Sequence, residues 1–126
     1  MTKITGRKQE HITLAQHTDS QSGTNPFDTY SLPYRSLPEI NLDSVDTHVT
    51  LCGKKMTQPL IIASMSGGTE KGTIINRNIA QAAEKAGVAF GIGSQRVALE
   101  GACSTKSFSI VRKEAPRAVI FANMGA

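Results

Sequence analysis

The sequence has little of what marks several classes of protein. Its two cysteines, Cys52 and Cys103, are far apart and too few for a disulfide scaffold or a thiolate zinc site. It has no run of about 18 apolar residues, so we expect no membrane-spanning helix. The amino-terminal residues lack the apolar stretch of a secretory signal. A reducing cytoplasm is therefore the expected compartment.

Aromatic residues and long basic runs are also scarce, although the net charge is +4. Aromatics make up 5% of the 126 residues and no basic run exceeds two residues, which argues against a nucleic-acid partner. Residues 1–63 carry six cations and six anions, whereas residues 64–126 carry eight cations, four anions and eight of the eleven glycines. Glycine-rich turns beside surplus positive charge favour a phosphate-bearing ligand.

The chain divides into two parts near residue 58. Residues 1–58 are polar and have no long periodic segment, although a few apolar residues predict a short helix after Arg7. Weak alternation between residues 47 and 56, with Gly53-Lys54 as a turn, predicts a short hairpin. This part is interpreted as an N-terminal extension.

Residues 59–126 alternate between apolar runs and helical patterns. The apolar runs are residues 60–63, 88–92 and 118–122. Between them, apolar residues at helical spacing predict one helix that ends at Gly87 and another that Ser104 or Thr105 caps. Short apolar strands alternating with helices are typical of a parallel α/β sheet buried on both faces.

Small or polar residues follow each predicted strand, in the three turns at residues 64–68, 91–96 and 123–125. Parallel α/β folds bind ligands at the carboxyl ends of their strands, so we expect these turns to form one composite site. Each turn also has an ordinary interpretation: a tight βα turn, a solvent-facing Arg96, or an Asn123 that only turns the chain.

The charged run Arg7-Lys8-Gln9-Glu10-His11 has two interpretations as well. It is either a solvated surface or an arm that supplies cations to an anionic ligand. His17 and His48 are isolated from each other and from any cysteine or glutamate at metal spacing. No metal site is therefore predicted within these residues.

Five segments carry a specific resemblance when they are read together. They are Arg7-Lys8-x-Glu10-His11, Leu37-Pro38-Glu39, Pro59-Leu60-Ile61-Ile62-Ala63-Ser64-Met65-Ser66-Gly67-Gly68, Gly93-Ser94-Gln95-Arg96 and Asn123-x-Gly125. In this order they resemble the type 2 isopentenyl-diphosphate isomerases, which use FMN. That family usually has Met-Thr-Gly-Gly where this chain has Met65-Ser66-Gly67-Gly68, so the hydroxyl is kept.

The fold that this resemblance implies is a TIM barrel, which agrees with the parallel α/β pattern. A barrel has eight strands in ~250 residues, and this chain has apolar runs for three. The expected fold is therefore a partial (β/α)8 barrel over residues 59–126, after an extension over residues 1–58. It corresponds to the first third or so of the enzyme.

The resemblance also implies which residues contact ligands. The FMN contacts would be Ser64, Met65, Ser66, Gly67, Ser94 and Asn123. The substrate contacts would be Arg7, Lys8, His11, Ser94, Gln95 and Arg96, with the arm supplied by a neighbouring subunit as one arrangement. No side chain is expected to be the catalytic acid or base, because reduced FMN would have that role. The metal ligand and the FMN-phosphate site are expected beyond Ala126.

The implied reaction interconverts isopentenyl and dimethylallyl diphosphate in isoprenoid biosynthesis. The double bond moves by protonation and deprotonation, without net redox. The implied cofactors are FMN, the NADPH that reduces it, and Mg²⁺ on the diphosphate. The complete protein would be a homo-oligomer, a tetramer or larger, whereas the 126-residue chain alone is expected to be inactive.

Two other interpretations remain open at this point. One is a different flavin barrel, such as a 2-hydroxy-acid oxidase, which resembles the Met65-Ser66-Gly67-Gly68 strand loosely but gives no reason for Arg7-Lys8. The other is an inactive fragment that binds a phosphate ligand weakly. Three strands on their own would leave sheet edges and an apolar face exposed.

Overall fold

The computed structural model describes residues 3–19, 23–101 and 105–124 of the chain. These residues form an α/β structure with a two-stranded and a three-stranded sheet. The helices are α1 (Lys3–His17), α2 (Glu70–Ala86), α3 (Arg96–Leu99) and α4 (Lys106–Glu114). The strands are β1 (Val49–Leu51), β2 (Lys54–Met56), β3 (Ile61–Ile62), β4 (Ala89–Gly91) and β5 (Ile120–Phe121).

The three-stranded sheet is parallel, in the order β3-β4-β5. Ile62 pairs with Phe90, and Phe90 pairs with Ile120 on its other side. The succession of strand, helix and parallel strand predicted from the apolar runs is thus confirmed. One element was missed: the four-residue helix α3 begins at Arg96, the last residue of the predicted second turn, and continues through residues for which no element was predicted.

Helix α2 has clear signals at both ends. The Thr69 side chain accepts a hydrogen bond from the Gly72 N–H, which supplies a partner to a free amide of the first turn. Gly87 ends the helix with φ of 65°, a left-handed conformation that glycine adopts without steric cost. The predicted stop at Gly87 is therefore confirmed. Thr105 precedes α4, but its side chain makes no capping hydrogen bond, and Ser104 lies outside the described residues.

Helices α2 and α4 pack against each other and cover one face of the parallel sheet. The fully buried side chains of this core include Phe90 from the central strand and Val111 from α4. Side chains alternate between the faces of a strand, and on the other face Ile61 is 54% exposed and Phe121 37% exposed. One face of the sheet is thus packed and the other is open in these residues.

The predicted hairpin is confirmed, with strands β1 and β2 antiparallel. Its turn is Cys52-Gly53, one residue earlier than predicted, and both residues have positive φ (50° and 73°), as a type I′ turn requires. Met56, at the end of β2, is 3% exposed and packs against Ala89 and Val119. The hairpin therefore covers the amino ends of β4 and β5.

Helix α1 is longer than the sequence predicted, since it begins before Arg7 and includes the whole charged run. The apolar pattern predicted only a short helix here because Ile12 is the one buried side chain among residues 6–17. No apolar stripe therefore marks the full length of α1. Residues 23–48 contain two short 3₁₀ turns and are exposed throughout.

The domain boundary at residue 58 stays a prediction. Within the described residues, no helix has the length and apolarity to cross a membrane.

Candidate functional site

The three turns that follow the parallel strands are joined by main-chain hydrogen bonds. The Gly93 N–H donates to the Ser66 carbonyl at 3.3 Å, and the Gln95 N–H donates to the Asn123 carbonyl at 2.9 Å. The first turn is thus tied to the second, and the second to the third. The convergence predicted from the strand order is confirmed, whereas the ligand roles of the individual residues stay predictions.

Two glycines allow this close approach. A Cβ built on Gly93 would overlap the backbone of Ser66, and one built on Gly67 would overlap the ring of Phe108. Any side chain at these positions would therefore push the turns apart or displace α4. Packing thus requires glycine at both positions and gives this edge of the sheet its shape, whereas a ligand role for the turns stays a prediction.

Helix α1 reaches this edge through Lys8. The Lys8 ammonium donates to the Gly67 carbonyl at 3.0 Å and to the Ser94 carbonyl at 2.9 Å. It also lies 5.7 Å from the centre of the Phe108 ring, within cation–π range. The predicted cationic arm therefore contacts the first and second turns directly, across 59 and 86 residues of sequence.

A cavity of about 430 Å³ lies between α1 and the first turn. The residues that line it include Lys8, His11, Ile12, Met65, Ser66 and Ile75. It therefore brings together two predicted substrate residues from α1 and two predicted cofactor residues from the turn after β3. Its remaining wall is mostly apolar.

Ser66 is the unusual residue of this cavity. Its side chain is 9% exposed, and its hydroxyl has no hydrogen-bond partner among the described residues. Leaving a buried hydroxyl unpaired costs about 1–3 kcal/mol, so native structures rarely keep one without a reason. Ser66 also lines the adjacent cavity, and its hydroxyl lies close to Gly72 at the start of α2.

The other predicted site residues lie around this edge of the sheet. Ser64 lies beside Gly91, since a Cβ on that glycine would come within 2.5 Å of the Ser64 hydroxyl. Ser94 accepts a 3.4 Å hydrogen bond from the Arg96 N–H, and Arg96 is exposed at the start of α3. Arg7 is exposed on α1, where the cavity lining comes from Lys8 and His11 instead. The predicted arm thus supplies two of its three named residues to the cavity.

The third turn is positioned by an ion pair at the opposite end of β5. Glu84 of α2 accepts hydrogen bonds from the side chain of Arg117 at 2.6 Å and from the N–H groups of Arg117 and Ala118. The Arg117 side-chain hydrogen bond, helped by the two backbone donors, holds the pKa of Glu84 below its ordinary range. These contacts fix where β5 begins, and hence where Asn123 follows it.

Sequence reasoning missed the support that α4 gives to the first turn. Ser107 accepts a 2.8 Å hydrogen bond from the Gly68 N–H, and Asn76 of α2 donates to the Ser107 carbonyl at 2.8 Å. Ser107 is 39 positions from Gly68 and 31 positions from Asn76. A single sequence gives no signal that connects residues at such separations.

The described residues contain no group of three or more metal-ligating side chains close enough to hold an ion. Cys52 is exposed at the hairpin turn. Cys103 lies outside the described residues. The magnesium contacts implied by the resemblance were placed outside this chain, and that placement stays a prediction.

Taken together, fold and site describe an α/β protein with a ligand cavity at the carboxyl edge of a parallel sheet. No family model matches the chain. It is 40% identical over 126 residues to the isopentenyl-diphosphate delta-isomerase of Pelodictyon phaeoclathratiforme. It is also 42% identical over 123 residues to the enzyme of that name from Sulfurisphaera tokodaii, and 38% identical over 119 residues to that from Archaeoglobus fulgidus.

These similarities extend over nearly the whole chain but over a minor part of each relative. The alignments cover 98%, 98% and 94% of this chain and 35%, 33% and 34% of the three relatives. The chain thus spans about a third of the length of the curated relatives it matches. The relatives carry the isopentenyl-diphosphate isomerase name of the family that the five motifs resemble, and their names do not specify type 2.

Proposed function

We propose that this chain belongs to an FMN-dependent, type 2 isopentenyl-diphosphate delta-isomerase and carries part of its active site. The observation that supports this most directly is the cavity that Lys8 and His11 share with Met65 and Ser66. The five motifs and the similarity to proteins named isopentenyl-diphosphate delta-isomerase add independent support.

We propose further that β3, β4 and β5 are three strands of a TIM barrel. Their parallel pairing and the helices on one face are compatible with it. The open face, with Ile61 and Phe121, would become the barrel interior when further strands close the sheet. The hairpin that packs under β4 and β5 would then cover the amino-terminal end of the barrel.

The residues of the first turn fit FMN on one observation: Ser66 lines the cavity, and its buried hydroxyl has no hydrogen-bond partner among the residues that the structure describes. The residues that would hold the cofactor are Ser64, Met65, Ser66, Gly67, Ser94 and Asn123. Met65 is 75% exposed, which leaves its flat thioether free to pack on a ring. When bound, reduced FMN would supply the acid–base group and an electron-rich ring face, and NADPH would be its reductant.

The cavity suits a short branched alkene that carries a diphosphate. Ile12, Met65 and Ile75 give it an apolar wall for the hydrocarbon part. Lys8 and His11 lie at the same cavity, and the exposed Arg7 and Arg96 provide further positive charge for the diphosphate. Magnesium on the diphosphate would complete this charge balance.

In the proposed reaction, the terminal alkene carbon gains a proton and the allylic methylene, next to the substituted alkene carbon, loses one. Atoms and electrons balance within the substrate, because one proton enters, one leaves and the double bond shifts by one position. An alkene is a weak base, so the chain's own task is to hold the substrate in contact with the proton donor and to exclude water. The apolar wall of the cavity serves this second task.

The test is to incubate the full-length protein with isopentenyl diphosphate, FMN, NADPH and Mg²⁺ and to follow dimethylallyl diphosphate by proton NMR. We expect product to form only when FMN and reductant are both present. Turnover that is independent of flavin would contradict the type 2 assignment. Oxidation of a 2-hydroxy acid without isomerisation would favour the oxidase instead.

The oligomeric state of the same preparation, expected to be a tetramer or larger, is read from sedimentation velocity.

A further inference from the structure

The peptide bond between Gly67 and Gly68 is held at both of its polar ends. Its carbonyl accepts the hydrogen bond from the Lys8 ammonium at 3.0 Å. Its N–H donates to the Ser107 hydroxyl at 2.8 Å. One peptide plane is thus fixed by two side chains from different helices, one from α1 and one from α4.

This peptide would otherwise turn easily, because it joins two glycines. Neither residue has a Cβ to restrict rotation, and Gly68 has φ of 83°, which side chains rarely tolerate. The Phe108 ring packs directly against Gly67 and fills the space that a side chain there would need. The orientation of the turn therefore depends on its neighbours rather than on its own backbone.

Ser107 is itself held rigidly. It is 3% exposed in the first turn of α4, and its carbonyl accepts the hydrogen bond from Asn76, which is 1% exposed in α2. A buried hydroxyl whose backbone is fixed in this way has little freedom to turn away from the Gly68 N–H. The contact is therefore a fixed reference point for the turn, set by the packing of α2 and α4.

We propose that Ser107 is a positioning residue, which sets the Gly67–Gly68 peptide and thereby the place of Ser66 in the cavity wall. As far as it concerns FMN, this inference rests on the proposed function. Ser66 immediately precedes the fixed peptide, and its carbonyl is tied to Gly93. Because the following peptide and the Ser66 carbonyl are both held, the place of Ser66 in the cavity wall depends on these contacts.

The experiment compares Ser107→Ala with Ser109→Ala in the full-length protein. Ser109 lies on the same helix but is exposed, so it is a matched control. Loss of the buried acceptor leaves the Gly68 N–H unsatisfied, and we expect the Kd for FMN to rise about tenfold. The visible circular dichroism of bound flavin should change as well, while Ser109→Ala should match the wild type. An unchanged Kd in Ser107→Ala would overturn the proposal.

A second measurement needs no flavin. Amide hydrogen exchange of Gly68 should accelerate in Ser107→Ala relative to that of Val88, whose N–H is bonded to Ala83 in the core. Equal acceleration at both amides would mean a general loss of stability and would count against a positioning role. Where the alanine variant does not fold, Ser107→Cys keeps the size and weakens the acceptor, with the same expected result.

The two proposals can fail separately. If the wild type binds no FMN, the proposed function fails, and the exchange of Gly68 alone decides whether Ser107 fixes the turn. If FMN binds normally and both variants behave as wild type, the proposed function stands and the role of Ser107 is wrong.

Discussion

The two ends of the parallel sheet are built from different interactions. At the amino end, Met56 of the hairpin is buried against Ala89 and Val119, and Glu84 pairs with Arg117. At the carboxyl end, three turns meet through main-chain hydrogen bonds, and the buried hydroxyl of Ser66 has no partner within the described part of the chain. One end is closed by apolar packing, while the other keeps a cavity and polar groups available.

From this difference we expect the amino end of the sheet to contribute mainly to stability and the carboxyl end mainly to ligand binding. An end that satisfies its own groups adds to the free energy of folding. An end that leaves a polar group unsatisfied gives up part of that free energy and can recover it only from a ligand. Substitutions at the amino end should therefore change stability, and substitutions at the carboxyl end should change binding.

The largest effect on stability is expected from Met56→Ala. Removing a side chain that is 3% exposed leaves a cavity under the sheet and should lower the free energy of unfolding by about 3 kcal/mol. Met65→Ala, at the opposite end and 75% exposed, is the matched control and should change it by less than about 0.5 kcal/mol. Urea unfolding of both variants measures this. Equal losses would remove the contrast between the two ends.

Ser66→Ala should show the opposite behaviour. Because the Ser66 hydroxyl has no partner among the described residues, its removal should leave stability unchanged or raise it by about 1 kcal/mol. The Kd for FMN should nevertheless rise about tenfold, since a ligand hydrogen bond is lost. Thermal unfolding without flavin and fluorescence titration with flavin test the two halves. A clear loss of stability would mean that the hydroxyl serves the fold.

Glu84 should give the amino end a dependence on pH. Its pKa is held below the ordinary value of 4.5, chiefly by the Arg117 side chain, so the folded state binds its proton more weakly than the unfolded chain does. The resulting stabilisation is fully present above pH 4.5 and is lost as the pH falls through the lowered pKa. In Glu84→Gln we expect stability to fall by roughly 1 kcal/mol at pH 7 and to vary less between pH 5 and pH 3. Parallel pH profiles of wild type and variant would contradict this.

The smallest effect is expected at the hairpin turn. Cys52 has φ of 50°, where asparagine is much better tolerated than cysteine. Cys52→Asn should therefore raise the free energy of unfolding by about 0.5 kcal/mol, because Asn-Gly is a favoured type I′ pair. Cys52→Ser, of similar size but without that preference, is the control. An equal gain in both variants would point to loss of the thiol rather than to turn geometry.

Much of this arrangement could be predicted from the sequence because it follows from local patterns. The strands appear as short apolar runs, although one face of their sheet is open in the described residues, and Gly87 is placed as a glycine helix stop usually is. The meeting of the turns then follows from parallel pairing alone. The length of α1 was underestimated because this helix buries few side chains. Helix α3 was missed because four residues are too few to show a helical repeat of apolar residues.

The long-range contacts that shape the site could not be predicted from a single sequence. Lys8 was expected to hold an anion, and in the structure its ammonium lies on the carbonyls of Gly67 and Ser94. Which acceptor a lysine finds depends on packing between segments that are 59 and 86 residues apart. The same holds for Ser107, whose partner Gly68 is 39 residues away.

The long reach of these hydrogen bonds also has a consequence for the order of folding. The hairpin turn at Cys52-Gly53 closes between neighbouring residues, so it can form on the microsecond scale without the rest of the chain. The bonds from Lys8 to Ser94 and from Gln95 to Asn123 must wait until distant segments have docked. We therefore expect a partly folded chain to acquire its hairpin early and its ligand cavity last, so that ligand binding reports completion of the fold.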